Sequence, residues 1–264
     1  MSKPRKKGIP SRPAVQITGG MSAWGSVSVN SDSFQATAYH KDGKEMVSIQ
    51  PIPKALSFIL KLKRWYIPRT LQLAAFMVSG ISTSTWITYI VTFALLQLLV
   101  YPHLPPRHIH VSTTLESVSL SLLIWATLGI LARLTIAPWH AAEHMAIAAY
   151  KRSQSTTIKN IRKENRVDPS CGGRFALPLI IASTLATFST HKLGTNFWLI
   201  YLILVEITLQ IDTYIGLDKL APFKQASHAL QRYVTTTEPN EAHLRTAKLA
   251  IEALVWKHSQ TSEQ

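Results

Sequence analysis

Three side chains near the middle of the chain have the types and the spacing of a metal centre. His140, Glu143 and His144 form an H-x-x-E-H pattern. On a helix, residues four apart lie one turn apart on the same face, so both imidazoles can reach a single ion. A glutamate beside them can accept a proton from water, as it does in inverted zincins. The pattern predicts a metal site with Glu143 as the catalytic base.

The spacing alone leaves a second interpretation open, because exposed helices also carry His and Glu without binding a metal. Further ligands are therefore needed before the pattern favours a metal site. Cys171 follows His144 after a polar, basic stretch. If that stretch folds back, the thiolate can complete a set of two histidines and one cysteine, with Asp168 as an alternative or additional ligand. We predict a divalent metal, zinc in particular; the other interpretation of Cys171 is an inert thiol at a turn.

A carboxylate inside an apolar segment is a further candidate. Glu206 lies well inside the stretch of about residues 194–215. A carboxylate in lipid is costly and usually faces a partner or a cavity. Glu206 is therefore either a metal ligand or proton carrier, or a group that is protonated or hydrogen-bonded to Ser, Thr or Tyr.

The composition indicates a membrane protein. Hydrophobic residues make up 47% of the 264 residues, charged residues only 16%, and the net charge is +14. A basic excess suits either anionic lipid or nucleic acid. Because the cations are spread between apolar segments, we expect membrane lipids as the partner, and nucleic acid only through ribosome association. A single cysteine excludes an intrachain disulfide, and no apolar signal-peptide core follows the basic N-terminus.

Four apolar segments are candidates for membrane spans, at about residues 82–101, 113–136, 175–190 and 194–215. Twelve Lys and Arg residues lie in 1–69, one in 102–112, seven in 137–174, one in 190–193 and six from residue 216 onward. Cytoplasmic loops are the ones enriched in Lys and Arg, so this alternation predicts both termini and the His-Glu motif on the cytoplasmic side. The third segment is short and carries Pro178, so it is either a span or re-entrant.

The expected fold is a mainly α, polytopic membrane protein of the cell membrane, with about four transmembrane helices and two small cytoplasmic parts. Residues 1–69 form a basic region in which an Asp-Gly turn at 42–43 predicts a β-hairpin. Residues 70–215 form the membrane domain, with a cytoplasmic loop at 137–174. Residues 216–264 form a helical region in which we expect Thr237-Glu238 to cap a helix that carries an apolar stripe made of Leu244, Ala247, Ile251 and Leu254.

Several of these motifs are similar to those of one family. His140–His144 resembles a hallmark His-Gly-Ala-Glu-His motif, Pro169–Gly172 resembles a Pro-x-Cys-Gly element, and Gln231–Pro239 resembles a Gln-Arg-x-Thr-Thr-x-Glu-Pro stretch. On these motifs the chain resembles the YqhQ-like family, which are bacterial multi-pass membrane proteins with a domain of unknown function. The resemblance implies a metal-dependent enzyme.

The chain departs from that family at three positions. Asp168 stands where the family usually has His, and Met145 stands where the family commonly has Lys. Trp24 precedes Gly25 here, whereas the family has a Glu before the corresponding Gly.

Two classes of function therefore stay open at this point. One is a metal-dependent hydrolase at the cytoplasmic face. The other is a non-catalytic partner or regulatory protein of another membrane complex or of a ribosome-associated complex.

Overall fold

The computed structural model of the protein describes residues 15–53, 68–71, 114–193 and 196–262. Within these ranges a four-stranded sheet is followed by helices. We number the strands and α-helices in chain order: β1 Gly19–Ala23, β2 Ser26–Asn30, β3 Phe34–Lys41, β4 Lys44–Pro51, α1 Thr114–Thr135, α2 Ala137–Ser153, α3 Ile158–Ile161, α4 Ala176–Leu193, α5 Phe197–Tyr214, α6 Ala221–Leu230 and α7 Glu241–Ser262.

The sheet is an antiparallel meander in the order β1-β2-β3-β4. Asp42 and Gly43 connect β3 to β4 with φ values of 53° and 72°, and positive φ at both central residues matches the twist of a two-residue hairpin. The expected hairpin is therefore present, as one half of a larger sheet. The strands β1 and β2 were not predicted: β1 is Gly- and Ser-rich, and the alternation of Ser and Val in β2 extends over only four residues.

Two helices cover one face of this sheet. Val27 and Val29 of β2 pair with Ala38 and Ala36 of β3, and all four are fully buried. The alanines leave room for α7, while α2 packs on β1 and β2 and against α7. The α7 stripe, fully buried in this core, consists of Leu244, Ala247, Ile251 and Leu254. The predicted stripe therefore docks this helix against the rest of the protein.

The start of α7 differs from the expectation. The helix begins at Glu241, and Asn240 caps it: Asn240 Oδ1 accepts from the His243 N–H, and His243 Nδ1 accepts from the Asn240 N–H, both at 3.1 Å. Thr237 and Glu238 remain outside the helix, so the predicted cap was wrong. The reciprocal bonds with His243 satisfy two terminal N–H groups.

The helices α1, α4 and α5 pack side by side, with α4 in the middle. Trp125 Nε1 of α1 donates to Ser183 Oγ of α4 at 2.9 Å. Their other faces expose many large apolar side chains, among them Leu123, Ile130, Leu134, Leu185, Phe188, Leu199, Leu202 and Ile203.

Among the described residues, one helix, α5, is long and apolar enough to cross a membrane, and only 11% of that stretch is buried in the protein. A second candidate is the pair Leu122–Thr135 and Ala137–Ser153, which is bent by 67°. Of these helices, α1 and α5 correspond to two of the predicted spans, whereas Ala137–Ser153 falls in the predicted loop. The predicted span at 175–190 is the helix α4, which does not meet the same criterion, and the span at 82–101 lies outside the described residues. The finding amounts to weak evidence for a membrane protein, and the four-span topology stays a prediction.

The bend between α1 and α2 brings the His-Glu motif into the core. Pro138 lies in the first turn of α2, where its missing N–H costs nothing and its fixed φ starts a new helix. The chain therefore turns away from the α1 axis at Ile136, and α2 runs under the sheet. The stretch 137–174 is in large part a buried helix and its connections, rather than a loop.

Candidate metal centre

Helix α2 presents the two histidines from one face. The ring centroids of His140 and His144 lie 4.3 Å apart, and His144 is only 4% exposed. Ala141, Ala142 and other small residues on the opposite side of α2 are fully buried. Their size lets the helix approach the sheet and α7 closely, so the position of the histidine face is fixed by packing.

Both imidazoles are anchored through the same ring atom. His140 Nδ1 lies 3.0 Å from the Thr235 carbonyl oxygen, and His144 Nδ1 lies 2.7 Å from the Arg166 carbonyl oxygen. A carbonyl oxygen accepts hydrogen bonds only, so each Nδ1 must carry the proton. Each Nε2 therefore keeps a free lone pair. This arrangement is the one that surrounds metal-binding histidines in proteins.

Cys171 supplies a third donor atom. Its Sγ lies 3.3 Å from His140 Nε2, and ligand atoms of His140, His144 and Cys171 all lie within 4.8 Å of one another. Zinc bound tetrahedrally by one sulfur and one nitrogen separates those atoms by about 3.5 Å. The sulfur also accepts a 3.2 Å hydrogen bond from the Gly173 N–H, at the start of a 3₁₀ turn, Gly172–Phe175. The sulfur and His140 Nε2 therefore already have about the separation that one zinc ion imposes, and the His144 donor lies within 4.8 Å of both.

Burial keeps all three donors neutral when no cation is near. It lowers the pKa of His140 to about 4, with a contribution from neighbouring His144, and it also lowers the pKa of His144. Burial raises the pKa of the Cys171 thiol to about 12. The imidazoles are therefore ready to bind at neutral pH, whereas the thiol must lose its proton to become a ligand.

Glu143 is held by the sheet, beside the three donors but not among them. Its Oε2 accepts a hydrogen bond from Ser22 Oγ on β1. Burial raises its pKa to about 7, against the opposing effect of the Ser22 hydroxyl. A Cβ atom at Gly20 would lie 2.4 Å from Glu143 Oε1. Gly20 is thus needed for the close approach of β1 to this carboxylate.

Asp168 is not part of the three-donor cluster. Its Oδ1 accepts hydrogen bonds from the Ser170 N–H at 2.8 Å and from Ser170 Oγ at 2.7 Å. Burial raises its pKa, but these two bonds and the charges of His144 and Lys151 outweigh that effect, so the pKa is lowered. Asp168 therefore contributes negative charge near the histidines and shapes the turn that precedes Cys171.

Glu206 has different partners from the cluster. On α5, its Oε1 accepts from the Arg69 N–H and its Oε2 from the Thr70 N–H, both at 2.9 Å. Gln210 Nε2 donates to Oε1 at 2.6 Å. The structure thus brings His140, His144 and Cys171 together and leaves Glu206 as a cap for the backbone at residues 69–70.

Several residues that hold the site were missed from the sequence. Gln231 is fully buried; its Oε1 accepts from the Asp168 N–H at 2.9 Å and its Nε2 donates to Ser227 Oγ at 3.2 Å. It begins a π-helical turn, Gln231–Thr235, which ends at the carbonyl that anchors His140. The motif at 231–239 indicated this region. Nothing in the sequence indicated the Arg166 carbonyl or the pairing of Ser22 with Glu143.

The fold and the site define a class: a mainly helical protein with an N-terminal antiparallel sheet, in which a buried helix carries two histidines that face a cysteine. The chain belongs to the family described as protein of unknown function (DUF1385), whose model matches residues 69–257. The match includes every donor of the candidate site and excludes the sheet strands that hold Glu143. No curated protein and no solved structure matches the chain.

Proposed function

We propose that this protein is a zinc-dependent hydrolase at the cytoplasmic surface of a cell membrane. The observation that carries the proposal is the pair of backbone carbonyls that hold the Nδ1 protons of His140 and His144. They leave the Nε2 lone pairs of both rings available to a metal ion, and the Cys171 sulfur lies 3.3 Å from His140 Nε2. Such preorganisation favours metal binding over an accidental cluster.

The number and type of the donors favour zinc in a catalytic role. A borderline-soft ion suits one thiolate and two imidazoles. Structural zinc sites use four protein ligands, whereas catalytic sites use three and keep a position for water or substrate. Among the described residues, the cluster has three donors. A zinc ion held there would supply a Lewis acid that polarises a substrate carbonyl or phosphoryl oxygen.

Glu143 is the group that would move the proton. Its pKa of about 7 means that it exchanges a proton readily near neutral pH. The Ser22 hydroxyl donates to Oε2 and fixes the carboxylate, while Oε1 lies against Gly20. In the proposed reaction Glu143 accepts a proton from the attacking water and later donates it to the leaving group.

The membrane placement is part of the proposal. Support comes from the exposed apolar faces of α1, α4 and α5 and from the alternation of Lys- and Arg-rich stretches. We propose a multi-pass topology with both termini in the cytoplasm, membrane lipids as partners, and the bacterial, YqhQ-like enzyme type that the sequence motifs resemble. The candidate site then lies just outside the bilayer, where α1 ends and α2 begins.

Metal analysis of purified protein tests the proposal. We expect about one zinc ion per chain after expression in zinc-replete medium, and strongly reduced content in His144→Ala and Cys171→Ser. The control is His258→Ala, since His258 lies on α7 against Ser31 and Phe34. No metal in the unaltered protein, or equal content in all four proteins, would overturn the proposal.

A second function, a non-catalytic metal clip in a partner or regulatory protein of a membrane complex, is favoured by the orientation of Glu143 towards β1. The two functions differ in whether a coordination position is open. Cobalt replaces zinc and reports its coordination through visible absorption. If acetohydroxamate changes the spectrum of the cobalt protein, the site is open and the enzyme is supported; an unchanged spectrum supports the clip.

A further inference from the structure

The sheet ends at an open edge. In the described part of the chain, β4 pairs with β3 on one side and has no strand on the other. The centre of β4, Met46–Gln50, carries no charged residue and no proline, and its register with β3 contains no bulge. Charges, prolines and bulges are the features that keep edge strands from pairing with other chains. This edge is therefore able to accept another strand.

The register shows which backbone groups of β4 are directed to the open edge. In an antiparallel sheet, alternate residues of a strand direct both their N–H and their C=O to the same neighbour. The Ile52 N–H donates to the Ser33 carbonyl oxygen at 2.9 Å, so the even-numbered residues of β4 bond to β3. Val47 and Ile49 consequently direct their N–H and C=O groups away from β3, where a further strand would bond to them.

An apolar groove lies beside the same edge, between β4 and α7. It contains about 510 Å³ of space and is open to solvent. Its walls come from β4 and from residues of α7 that lie three or four apart on one side of that helix, namely Val47, Ile49, Leu249, Glu252, Ala253 and Trp256. Val47 is 39% exposed and Trp256 is 54% exposed. The sheet thus ends one strand short of the apolar surface that α7 offers.

The charges of the groove favour an uncharged strand as its occupant. Among the lining residues the charged one is Glu252, whose Oε1 accepts from Thr156 Oγ1 at 2.8 Å and lies 3.6 Å from Lys248 Nζ. A matching strand therefore needs aliphatic side chains at every second position and an uncharged centre. The strand β4 itself has this pattern, because Val47 and Ile49 are two residues apart and so point to the same face.

We propose that two copies of this chain associate through β4 and form one continuous eight-stranded sheet. The two strands run antiparallel about a two-fold axis that passes between the two Ser48 residues. Val47 of each copy then lies opposite Ile49 of the other, and these pairs exchange backbone hydrogen bonds. Glu45 lies opposite Pro51 of the other copy, so no like charges meet. A self-complementary contact of this kind closes into a dimer.

The formation of a disulfide across the two-fold axis tests the pairing. The two Ser48 residues form a pair without backbone hydrogen bonds, in which the Cα atoms are about 4.5 Å apart, and a disulfide spans that distance. In a Cys171→Ser background, Ser48→Cys should give a covalent dimer when native membranes are oxidised with copper phenanthroline. The matched control is Gln50→Cys on the same face of β4, because the two Gln50 positions lie about 13 Å apart along the strands. Equal cross-linking of the two variants, or none, would overturn the proposal.

The mass of the detergent-solubilised protein is a second test, which needs no introduced cysteine. Light scattering should give twice the mass of one chain. Val47→Lys should weaken the dimer about a hundredfold, because it places an unpaired ammonium group in the groove. The matched control Met46→Lys adds the same charge on the opposite face of β4, outside the groove, and should leave the mass unchanged.

A monomeric unaltered protein, or equal dissociation of the two lysine variants, would contradict the dimer. The proposal goes beyond the proposed function and does not depend on the metal centre. Both lysine variants should keep full zinc content, and the cross-linking is done without Cys171, so this proposal and the metal proposal can fail separately.

Discussion

At the scale of single residues, the site depends on which nitrogen of each histidine carries its proton. The carbonyl oxygens of Thr235 and Arg166 hold the Nδ1 protons of His140 and His144. Neutral imidazoles with free Nε2 lone pairs are the form that binds metal. The cysteine differs, because its buried thiol holds its proton tightly until a cation arrives.

This difference predicts the pH dependence of zinc affinity. The pKa of His140 is lowered to about 4 and that of His144 is also lowered, whereas that of Cys171 is raised to about 12. Between about pH 8 and pH 10, where Glu143 is already ionised, one proton, from the thiol, is therefore displaced, and affinity should rise about tenfold per pH unit. Competition with a chromophoric chelator measures the slope.

In Cys171→Ser the affinity should be lower and nearly independent of pH over the same range. If the dependence of zinc affinity on pH in the unaltered protein corresponded to about three released protons, the histidines would be charged. That result would contradict the neutral imidazoles.

Gly20 gives a second prediction at the residue scale. In Gly20→Ala the new Cβ would meet Glu143 Oε1 at 2.4 Å and Ile147 Cδ1 at 2.9 Å. We expect the free energy of unfolding to fall by about 1–3 kcal/mol, because the buried ends of the Glu143 and Ile147 side chains must shift to make room. Chemical denaturation measures the change.

The matched control for Gly20→Ala is Gly172→Ala, where nothing lies within 4 Å of the added atom. Its stability should change by less than about 0.5 kcal/mol. Equal stability of the two variants would mean that β1 does not lie in close contact with Glu143.

At the scale of elements, the metal centre lies where α2, the turn around Cys171 and the π-helical turn meet. The 67° bend after α1 turns α2 under the sheet, and α2 and α7 together cover that sheet. Arg133 near the end of α1 donates to the Tyr233 carbonyl of the π-helical turn. The segment that anchors His140 is thus attached to the end of a candidate membrane helix.

Glu206 gives a prediction about α5. Its oxygens accept the N–H groups of Arg69 and Thr70, so we expect Glu206→Gln to keep full zinc content. One of the two acceptor oxygens would be lost, and the stability of the protein in detergent should fall. Elemental analysis with thermal unfolding measures both. A drop in zinc content comparable to that of His144→Ala would instead make Glu206 a ligand.

At the scale of the whole molecule, two parts of the described chain differ in how much apolar surface they expose. The sheet with α2 and α7 buries most of its apolar residues in one core, with Met46, Val47 and Trp256 as exposed exceptions. The helices α1, α4 and α5 instead expose many of theirs. Exposed apolar surface of this extent marks contact with lipid or with other chains. The proposed topology places lipid against these helices and the sheet in the cytoplasm.

Labelling of single cysteines tests this topology. In a Cys171→Ser background, the cysteine of Lys192→Cys, in the last turn of α4, should react with a membrane-impermeant maleimide in intact cells. A cysteine at Lys257 on α7 should react only after permeabilisation, because the positive-inside rule places the C-terminus in the cytoplasm. Labelling of both positions in intact cells, or of neither, would contradict the four-span arrangement.

The sequence by itself determined features that depend on short-range pattern. The Asp42-Gly43 hairpin, the one-turn spacing of His140 and His144, and the buried α7 stripe follow from backbone preference and periodicity. These are local properties, because neighbours along the chain decide them. The charge alternation around the apolar segments is equally local, and its reading as four spans remains a prediction.

Only the tertiary structure decided which groups meet. Cys171 approaches His140 from 31 residues away, and Ser22 reaches Glu143 across 121 residues. The two imidazole anchors are backbone carbonyls, which every residue carries, so no residue type could mark them in advance. Asp168 and Glu206 matched the chemistry of ligands, yet neither is part of the cluster: Ser170 binds Asp168 Oδ1, and N–H groups bind both Glu206 oxygens. Residue type limits what a site can bind, and packing over long sequence distances decides where it forms.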